Sequence, residues 1–346
     1  MVRLRTVSPN SPGWTRRRAG RGFVYLDRHG ERLPDADVAR AKELVIPPAW
    51  REVWISPHPN AHLQAVGVDE AGRRQYLYHP QWRIQQDELK FERVARAARR
   101  LPAARNALEE HLTGEGMPLE RSAATAVRLL DLGCFRIGGD AFEEGGSFGL
   151  TTLERRHVTR TGSTLVFEFV GKSGIDHRIE VDDPLAVAAV ETLRRRRGGS
   201  DRLMAFKRDR RWVDLDASDV NDYLRESVGE EITAKDFRTW HATVLAAASL
   251  AESDETGQSA ASRKRAVRQA MVEVAEFLGN TPAIAKSSYV DPRVIDLYED
   301  GVTIEATTRR RHRTPESRRA ALERAVLRML SDAPSSAARR TRRGAA

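Results

Sequence analysis

Tyr289 is the residue whose surroundings first suggest chemistry. It stands in the polar stretch AKSSYVDPRV, where Thr281-Pro282 predicts one short helix and Asp291-Pro292 predicts the start of another. A tyrosine at a helix junction is usually a packed ring with a hydrogen-bonded hydroxyl. Because a phenol has a pKa near ~10, it becomes an effective nucleophile only where neighbouring groups stabilise its anion or the charge of its transition state. The question is therefore whether the chain supplies cations to this tyrosine.

Four further polar residues lie where a predicted helix or strand ends. Arg136 in CFRIGG follows a helix and precedes two glycines, and Lys172 in FVGKSGID occupies the tip of a predicted hairpin. Arg238 in KDFRTWHATVL lies near the start of a helix, and Asn280 in FLGNTP follows a helix-ending glycine. Each has an ordinary explanation by itself: a surface ion pair, an exposed turn, a salt bridge on a helix face and a helix stop. Their order along the chain, followed by Tyr289, makes them a candidate site.

Composition supports a folded, soluble protein around these residues. The chain has 346 residues, enough for one large domain or two ordinary ones, with 40% hydrophobic and 31% charged residues. The single cysteine, Cys134, excludes an internal disulfide and a cysteine-based metal cluster. No stretch approaches the ~18 apolar residues of a membrane span, and no apolar segment follows the basic start as a signal peptide requires. We therefore expect a cytoplasmic protein.

The same inspection predicts neither a metal nor a nucleotide cofactor. No spacing of His, Asp and Glu indicates a metal site. The glycine-rich stretch GGSFG lacks the lysine and the following helix of a nucleotide-binding loop. His241 lies on a helix with apolar successors, so it is interpreted as a packed histidine.

The positive charge of the chain is concentrated at its C-terminal end. The formal net charge is +9, and the residues from Arg309 onward contain twelve arginines and three acids, so that basic and acidic residues balance in the rest. Such a tail is typical of a solvated arm attracted to polyanions, most often nucleic acid. The alternative is an arginine-rich helix with a frayed end.

Turn and strand signals dominate residues 1–85, with one likely helix in DADVARAKELV and strands in GFVYLD, VWISP, LQAVGVD and RRQYLYH. Residues 86–308 are mainly helical, and Pro102 is expected to separate two of the helices. Within this part FGLTTL, TLVFEFVG and DHRIEVD predict a three-stranded antiparallel sheet. The prediction is an α+β protein with a small β-rich domain (1–85), a mainly helical catalytic domain (86–308) and an Arg-rich helix or tail (309–346).

The motifs together resemble the type IB DNA topoisomerases, particularly the compact bacterial and poxvirus-like forms. FRIGG with Arg136, FVGK with Lys172, KDFRTW with Arg238 and YVDPR with Tyr289 are similar to the catalytic segments of that family. SFGLTTLERRHV is also characteristic, and RRQYLYHPQWR resembles the DNA-contacting strand. The resemblance covers roughly residues 20–300.

The resemblance implies a function and a role for each residue. Tyr289 would attack a DNA phosphate and form a 3′-phosphotyrosyl intermediate, Arg136 and Arg238 would neutralise the phosphate oxygens, and Lys172 would protonate the leaving 5′ oxygen. Supercoils of either sign would relax by strand swivelling without ATP or metal, in a monomer clamped around double-stranded DNA at the nucleoid. The expected DNA contacts of the small domain are Gln75, Tyr76 and Tyr78, with core-facing aromatics as the alternative for the tyrosines.

Two positions depart from the family pattern. Many members carry a histidine where this chain has Asn280, whose amide can donate a hydrogen bond to a phosphate but brings no charge. Relatives commonly carry a tyrosine where Phe142 stands, so one phosphate contact is in doubt.

Two other functions are consistent with parts of the sequence. A tyrosine recombinase shares the arginine, lysine and tyrosine logic, but it usually carries a helical N-terminal DNA-binding domain and would act as a tetramer on paired sites. A non-enzymatic architectural DNA-binding protein would explain the Arg-rich tail, but it leaves the positions of Lys172 and Tyr289 to chance.

Overall fold

The computed structural model describes residues 3–133, 135–139, 146–229, 232–253 and 259–332. Cys134, Phe142 and residues 333–346 of the Arg-rich tail lie outside the described residues. Within the described ranges, no helix is long and apolar enough to cross a membrane.

Two compact units divide the chain, Met1–Phe91 and Glu92–Ala346. The predicted boundary lies near residue 85, whereas this division follows Phe91, inside a long helix. Strands predominate in the first unit and helices in the second, which confirms the predicted α+β class.

An antiparallel sheet of five strands forms the first unit, in the order β2-β1-β3-β4-β5. Its elements are β1 (Trp14–Ala19), β2 (Gly22–Leu26), α1 (Asp35–Glu43), β3 (Arg51–Ile55), β4 (Leu63–Val68) and β5 (Arg74–Tyr78). A small apolar core is built from Trp14, Tyr25, Leu33, Ala41, Ile46, Val53, Ile55 and Ala65. The four strands and the helix predicted from apolar runs bounded by turn residues are confirmed.

Strand β1 was not predicted from the sequence, because WTRRRA contains three consecutive arginines and lacks the apolar pattern of a strand. It pairs with β2 from Thr15 to Ala19. The stretch RHGERL, which the sequence suggested as the second strand of a hairpin with GFVYLD, adds an isolated bridge between Arg32 and Leu26. Arg16 donates three hydrogen bonds of 2.8–2.9 Å to backbone carbonyls within residues 46–50. Its guanidinium carbon also lies 4.2 Å from the centre of the Phe23 ring. An arginine is compatible with a strand when carbonyl oxygens and an aromatic face take up its planar donor group.

The second unit is mainly helical and has one large core. Its helices are α2 (Pro80–Thr113, which begins in the first unit), α3 (Leu119–Gly133), α4 (Pro184–Arg194), α5 (Ala217–Val228), α6 (Ala234–Glu252), α7 (Ala260–Leu278), α8 (Pro282–Ser288), α9 (Pro292–Glu299), α10 (Glu305–Thr308) and α11 (Pro315–Ser331). Its strands are β6 (Val158–Thr161), β7 (Thr164–Val170) and β8 (Asp176–Val181) in one sheet, and β9 (Ala205–Arg208) and β10 (Arg211–Asp214) in another. The β9–β10 hairpin lies in a segment for which no strand was predicted.

The predicted helix break at Pro102 is wrong, because α2 continues through it. A proline inside a helix removes one backbone hydrogen bond and crowds the preceding turn. Around Pro102, however, α2 buries Ala98, Leu101, Ala104 and Leu108 in the large core. Tertiary packing of this apolar face outweighs the local preference of the proline.

The prediction of a strand in FGLTTL is also wrong, and the three-stranded sheet uses β6 as its first strand instead. Leu150–Thr152 forms a 3₁₀ turn. The backbone N–H of Leu150 donates to the carbonyl of Arg136 and that of Thr151 to the carbonyl of Ile137, both at 2.8 Å. The segment therefore supports the loop that carries Arg136 rather than extending the sheet.

The described part of the Arg-rich tail is not a solvated arm. In α11, Leu322, Val326, Met329 and Leu330 are buried and belong to the large core. Between the arginines of this helix, apolar residues recur at helical spacing and form a stripe that packs α11 against the rest of the second unit.

Candidate active site

Tyr289 lies at the junction of α8 and α9, as predicted. Thr281 caps α8 by accepting the N–H of Ile284, and Asp291 caps α9. The hydroxyl of Thr243, on α6, donates to the carbonyl of Tyr289 at 3.3 Å and accepts the N–H of Asp291 at 3.2 Å. The tyrosine backbone is therefore anchored to the helix that also carries Arg238.

Arg238 lies one turn into α6 and is almost completely buried, with 4% of its surface exposed. One guanidinium nitrogen donates to the carbonyl of Leu278 at 2.6 Å. The guanidinium carbon lies 5.5 Å from the centre of the Tyr289 ring. Arg238 thus contacts both the end of α7 and the candidate nucleophile.

Arg136 follows α3 and is half-buried. Its Nη2 donates to the carbonyl of Gly279 at 3.1 Å and to Oδ1 of Asn280 at 2.7 Å. Because Oδ1 faces Arg136, the Nδ2 group of Asn280 points elsewhere, and it is buried without a hydrogen-bond partner among the described residues. The structure thus joins two predicted site residues that lie 144 positions apart, and it leaves an amide donor available next to them.

Lys172 is exposed and lies in a short 3₁₀ turn, Lys172–Gly174, between β7 and β8. The turn requires positive φ angles at Ser173 (66°) and Gly174 (72°). Such a conformation is unusual for serine, and it gives the hairpin a defined shape rather than an open loop. The lysine is therefore at the hairpin tip expected from FVGKSGID.

These residues meet in one cavity of about 290 Å³. Its lining consists of Arg136, Ile137, Gly138, Ser147, Phe148, Gly149, Lys172, Ala234, Lys235, Arg238 and Tyr289. Four lining side chains are cationic and none is acidic, counting the described residues only. Asn280 is not part of this lining, and it contacts the lining residue Arg136 through its Oδ1.

Lys235 is a lining residue to which the sequence analysis gave no role. It lies at the start of α6, one turn before Arg238. Residues three apart on a helix share a face, so the Lys-x-x-Arg spacing was the available signal.

The cavity is shaped by a close approach of two glycines. A side chain on Gly149 would bring its Cβ within 3.0 Å of the backbone of Gly138, and Gly138 itself has φ +93°. Only glycine satisfies both the conformation and the space at position 138. The backbone beside Arg136 is thereby open toward the cavity.

The electrostatic environment of Tyr289 favours the phenolate. Burial alone would raise the pKa of Tyr289, but the charges of Arg238, Lys235 and Arg136 and a hydrogen bond with Arg238 outweigh it and lower the pKa below its usual value. The pKa of Arg136 is lowered by burial and by the neighbouring Arg238. The two effects have one origin, because cations are gathered in partly desolvated space.

The predicted DNA contacts of the first unit lie on β5. The rings of Tyr76 and Tyr78 stack with centres 6.1 Å apart, and neither belongs to the core of that unit. Gln75 faces the other side of the strand by alternation and donates to Asp69 at 2.9 Å. The structure thus rules out the core-facing alternative for the tyrosines and does not group Gln75 with them.

His241 is packed, as expected, with Nε2 3.2 Å from Oδ1 of Asp131, and it does not line the cavity. Among the described residues, no group of three or more His, Cys, Asp and Glu side chains is arranged to hold a metal ion.

Comparison with known proteins decides the family. A family model described as the catalytic core of eukaryotic DNA topoisomerase I matches residues 79–314, which is more than half of the chain. The chain belongs to the type IB DNA topoisomerase family. A second model, described as the N-terminal domain of bacterial DNA topoisomerase IB, matches residues 22–69. This type IB topoisomerase is accordingly an enzyme of the isomerase class that acts on DNA.

Viral relatives support the compact form of the family. A DNA topoisomerase 1B of Acanthamoeba polyphaga mimivirus is 27% identical over 297 residues, covering 83% of this chain and 88% of the viral protein. A DNA topoisomerase 1B of vaccinia virus (strain Copenhagen) is 23% identical over 253 residues, covering 68% and 72%. The relatives therefore align with most of this topoisomerase, including its catalytic unit.

Proposed function

We propose that this enzyme relaxes positive and negative supercoils by cutting one DNA strand, letting it swivel about the intact strand and resealing it. The observation that supports this most directly is the cavity in which Tyr289 lies among Arg136, Lys172, Lys235 and Arg238 without an acidic neighbour among the described lining residues. Such a cavity attracts an anion and activates a phenol at the same time. A phosphodiester is the anion of DNA that a tyrosine can attack.

In the cleavage step, the Tyr289 oxygen forms a bond to the scissile phosphorus and the bond from phosphorus to the 5′ oxygen breaks. The phenolic proton is lost to solvent, which the lowered pKa of Tyr289 favours. Lys172 donates a proton to the departing 5′ oxygen, because an alkoxide is a poor leaving group unless it is protonated. The products are a 3′-phosphotyrosyl enzyme and a free 5′ hydroxyl.

Arg136 and Arg238 stabilise the charge on the non-bridging oxygens during this step. Guanidinium groups present fixed pairs of N–H donors that match phosphate oxygens. The Nδ2 group of Asn280 adds a neutral donor. It supplies the hydrogen bond but not the charge of the histidine that many relatives carry at this position.

Religation reverses the same steps. The 5′ hydroxyl attacks the phosphotyrosine, Lys172 accepts its proton and Tyr289 leaves. Since one phosphate ester is exchanged for another, the cycle needs neither ATP nor a redox or metal cofactor to recover the bond. Between the two steps the free end can rotate, which removes supercoils of either sign.

The enzyme acts on double-stranded DNA, as a monomer and in the cytoplasm at the nucleoid. Tyr76 and Tyr78 present a stacked aromatic surface that suits a DNA groove, and Gln75 lies on the opposite face of β5. Because phosphate contacts dominate protein–DNA affinity, binding weakens steeply as salt increases.

The decisive experiment is relaxation of positively and negatively supercoiled plasmid in EDTA without ATP, with wild type and Tyr289→Phe. We expect wild type to relax both substrates, and the variant to bind DNA with unchanged affinity but relax neither. A covalent complex trapped by denaturant should carry the DNA through its 3′ end and only in wild type.

Other outcomes would identify the alternatives. Strand exchange between paired sites by a tetramer would indicate a recombinase. Tight binding without any cleavage by wild type would indicate an architectural protein and a merely packed Tyr289.

A further inference from the structure

The imidazole of His177 connects two parts of the active site that are distant in sequence. It lies on β8, three residues after the Lys172–Gly174 turn, and is half-buried. Its ring stacks on Phe169 with centres 5.2 Å apart and planes at 22°, and Phe169 in turn stacks on Phe135 at 6.1 Å and 15°. Phe135 directly precedes Arg136. Three aromatic rings therefore lead from the backbone of one catalytic candidate to the hairpin of another.

The Nε2 end of this ring is inserted between two glycine backbones. A Cβ on Gly171 would come within 3.0 Å of Cδ2 and Nε2 of His177, and a Cβ on Gly279 would come 2.5 Å from its Cε1. Real Cβ atoms essentially never approach so closely. The histidine thus fills the space that any side chain at either glycine would occupy.

Each of the two glycines directly precedes a candidate catalytic residue in the sequence. Gly171 precedes Lys172, and its N–H closes the turn by donating to the carbonyl of Ile175 at 2.7 Å. Gly279 precedes Asn280 and accepts a hydrogen bond from Arg136. One ring therefore contacts both the lysine turn and the corner between α7 and α8.

The imidazole also borders open space. A second cavity, of about 350 Å³, is lined by Gly171, His177 and Arg238 among other residues. This cavity already reaches Gly171, and without the imidazole it would be larger and leave the turn room to move.

The surroundings of His177 favour its uncharged form. Burial lowers the pKa of His177, and the charges of Arg136 and Arg238 lower it further against the smaller effect of Asp176. A neutral imidazole packs as an aromatic ring and adds no charge to the site.

We propose that His177 is a positioning residue, which holds the Lys172 turn against the Gly279–Asn280 corner so that the lysine reaches the leaving 5′ oxygen. This inference rests on the proposed role of Lys172 as the general acid. It assigns no chemical step to the histidine itself.

The first test compares single-turnover cleavage of two DNA substrates, one with the natural bridging 5′ oxygen and one with sulfur at that position. A thiolate leaves without a proton, so the sulfur substrate does not need the general acid. Because a displacement of about 1 Å can slow a reaction ~10²-fold, we expect His177→Ala to slow cleavage of the oxygen substrate to that extent. We expect nearly wild-type cleavage of the sulfur substrate and unchanged DNA affinity.

Two matched variants separate positioning from a general loss of structure. His177→Phe keeps an aromatic ring and should retain most of the rate. Gly171→Ala is compatible with the backbone at that position (φ −95°) but collides with the imidazole, so it should slow the oxygen substrate in wild type and add nothing in the His177→Ala background. Additive effects of the two changes, or equal slowing of both substrates by His177→Ala, would overturn the inference.

Lys172→Ala distinguishes this inference from the function on which it rests. If sulfur fails to rescue Lys172→Ala, the general-acid role of the lysine is wrong. Hydrogen exchange then tests the contact between His177 and Gly171 directly, because loss of the imidazole should accelerate exchange of the Gly171 amide. Unchanged exchange in His177→Ala would contradict the positioning role whatever Lys172 does.

Discussion

The second unit holds two clusters of charged side chains that differ in one respect. In the catalytic cavity, Arg136, Lys172, Lys235 and Arg238 are gathered with no acidic side chain among the described lining residues. In the second cluster, Arg105 is bonded to two buried carboxylates, Asp131 and Glu323, at 2.7–2.9 Å. We call this second cluster the α3–α11 network, after the helices that carry the two acids.

The α3–α11 network is internally neutralised. Burial would lower the pKa of Arg105, but the two carboxylates raise it well above its usual range. Burial would likewise raise the pKa of Asp131, but His241 and Arg105 hold it well below its usual range. Arg319 of α11 adds a further contact to Asp131 at 3.3 Å. These charges stabilise one another, and with them the position of α11.

In the cavity the cations act on each other and on Tyr289 instead. The pKa of Arg136 is lowered, by burial and by Arg238, whereas that of Arg105 is raised. The pKa values of two arginines in the same unit are thus shifted in opposite directions. Arg136 donates to the uncharged oxygens of Gly279 and Asn280, so its charge is available to a phosphate, whereas the charge of Arg105 is neutralised by carboxylates and serves stability.

The largest expected effect is on stability, from Asp131→Asn. Removing one partner of a buried ion pair leaves the others desolvated and typically costs ~3–5 kcal/mol. We expect a loss of this size in the free energy of unfolding at pH 7, measured with urea, with little change in the cleavage rate of the folded fraction. A loss below 1 kcal/mol would mean that the network is not a stabilising element.

The pH dependence of this effect has a defined sign. Because the pKa of Asp131 is depressed in the folded protein, its contribution is present above the unfolded value of ~3.9 and is lost as the pH falls below it. The difference in stability between wild type and Asp131→Asn should therefore shrink in acid.

The next effect is on catalysis, from Arg136→Ala. Loss of one preorganised donor to a developing charge slows cleavage ~10²–10³-fold. Because this cation is desolvated and its charged form is disfavoured, the thermal stability should be unchanged or slightly higher, in contrast to Asp131→Asn. Pre-steady-state cleavage and a melting curve measured on the same preparation test both halves of this expectation.

Asn280→Asp would give Arg136 a carboxylate partner, as Arg105 has in the α3–α11 network. A carboxylate in place of the amide would accept from Arg136 at about the present distance of 2.7 Å and compensate its charge. We expect higher stability and at least a tenfold slower cleavage, and Asn280→Ala should slow cleavage without the gain in stability. Faster cleavage by the aspartate variant would refute the view that cleavage needs the charge of Arg136 to be free of an acidic partner.

The smallest effect concerns the titration of Tyr289. Its pKa should lie below that of an ordinary tyrosine, and Arg238→Ala should raise it, since burial would then dominate. The ultraviolet difference titration between each protein and its Tyr289→Phe counterpart isolates this one phenol. Equal titration of Tyr289 with and without Arg238 would show that the arginine does not activate it.

Local sequence signals were sufficient for some elements and misleading for others. Thr281-Pro282 and Asp291-Pro292 predict the two caps around Tyr289 because a capping side chain acts within three residues of its own position. Pro102 misleads because packing of α2 outweighs a local penalty. Arg16 of β1 misleads because its hydrogen-bond partners lie 30 to 34 residues away.

The residue types of the site, their order and the short-range turns that expose them can be read from the sequence. Which of these residues meet depends on the fold, since the contact of Arg136 with Asn280 spans 144 positions and requires that α3 and α7 both pack against α6. The fold also decided the lowered pKa of Tyr289, the compensation of Arg105 and the place of His177 between two glycines. Those properties depend on desolvation and on distances between segments, which periodicity and spacing along the chain do not contain.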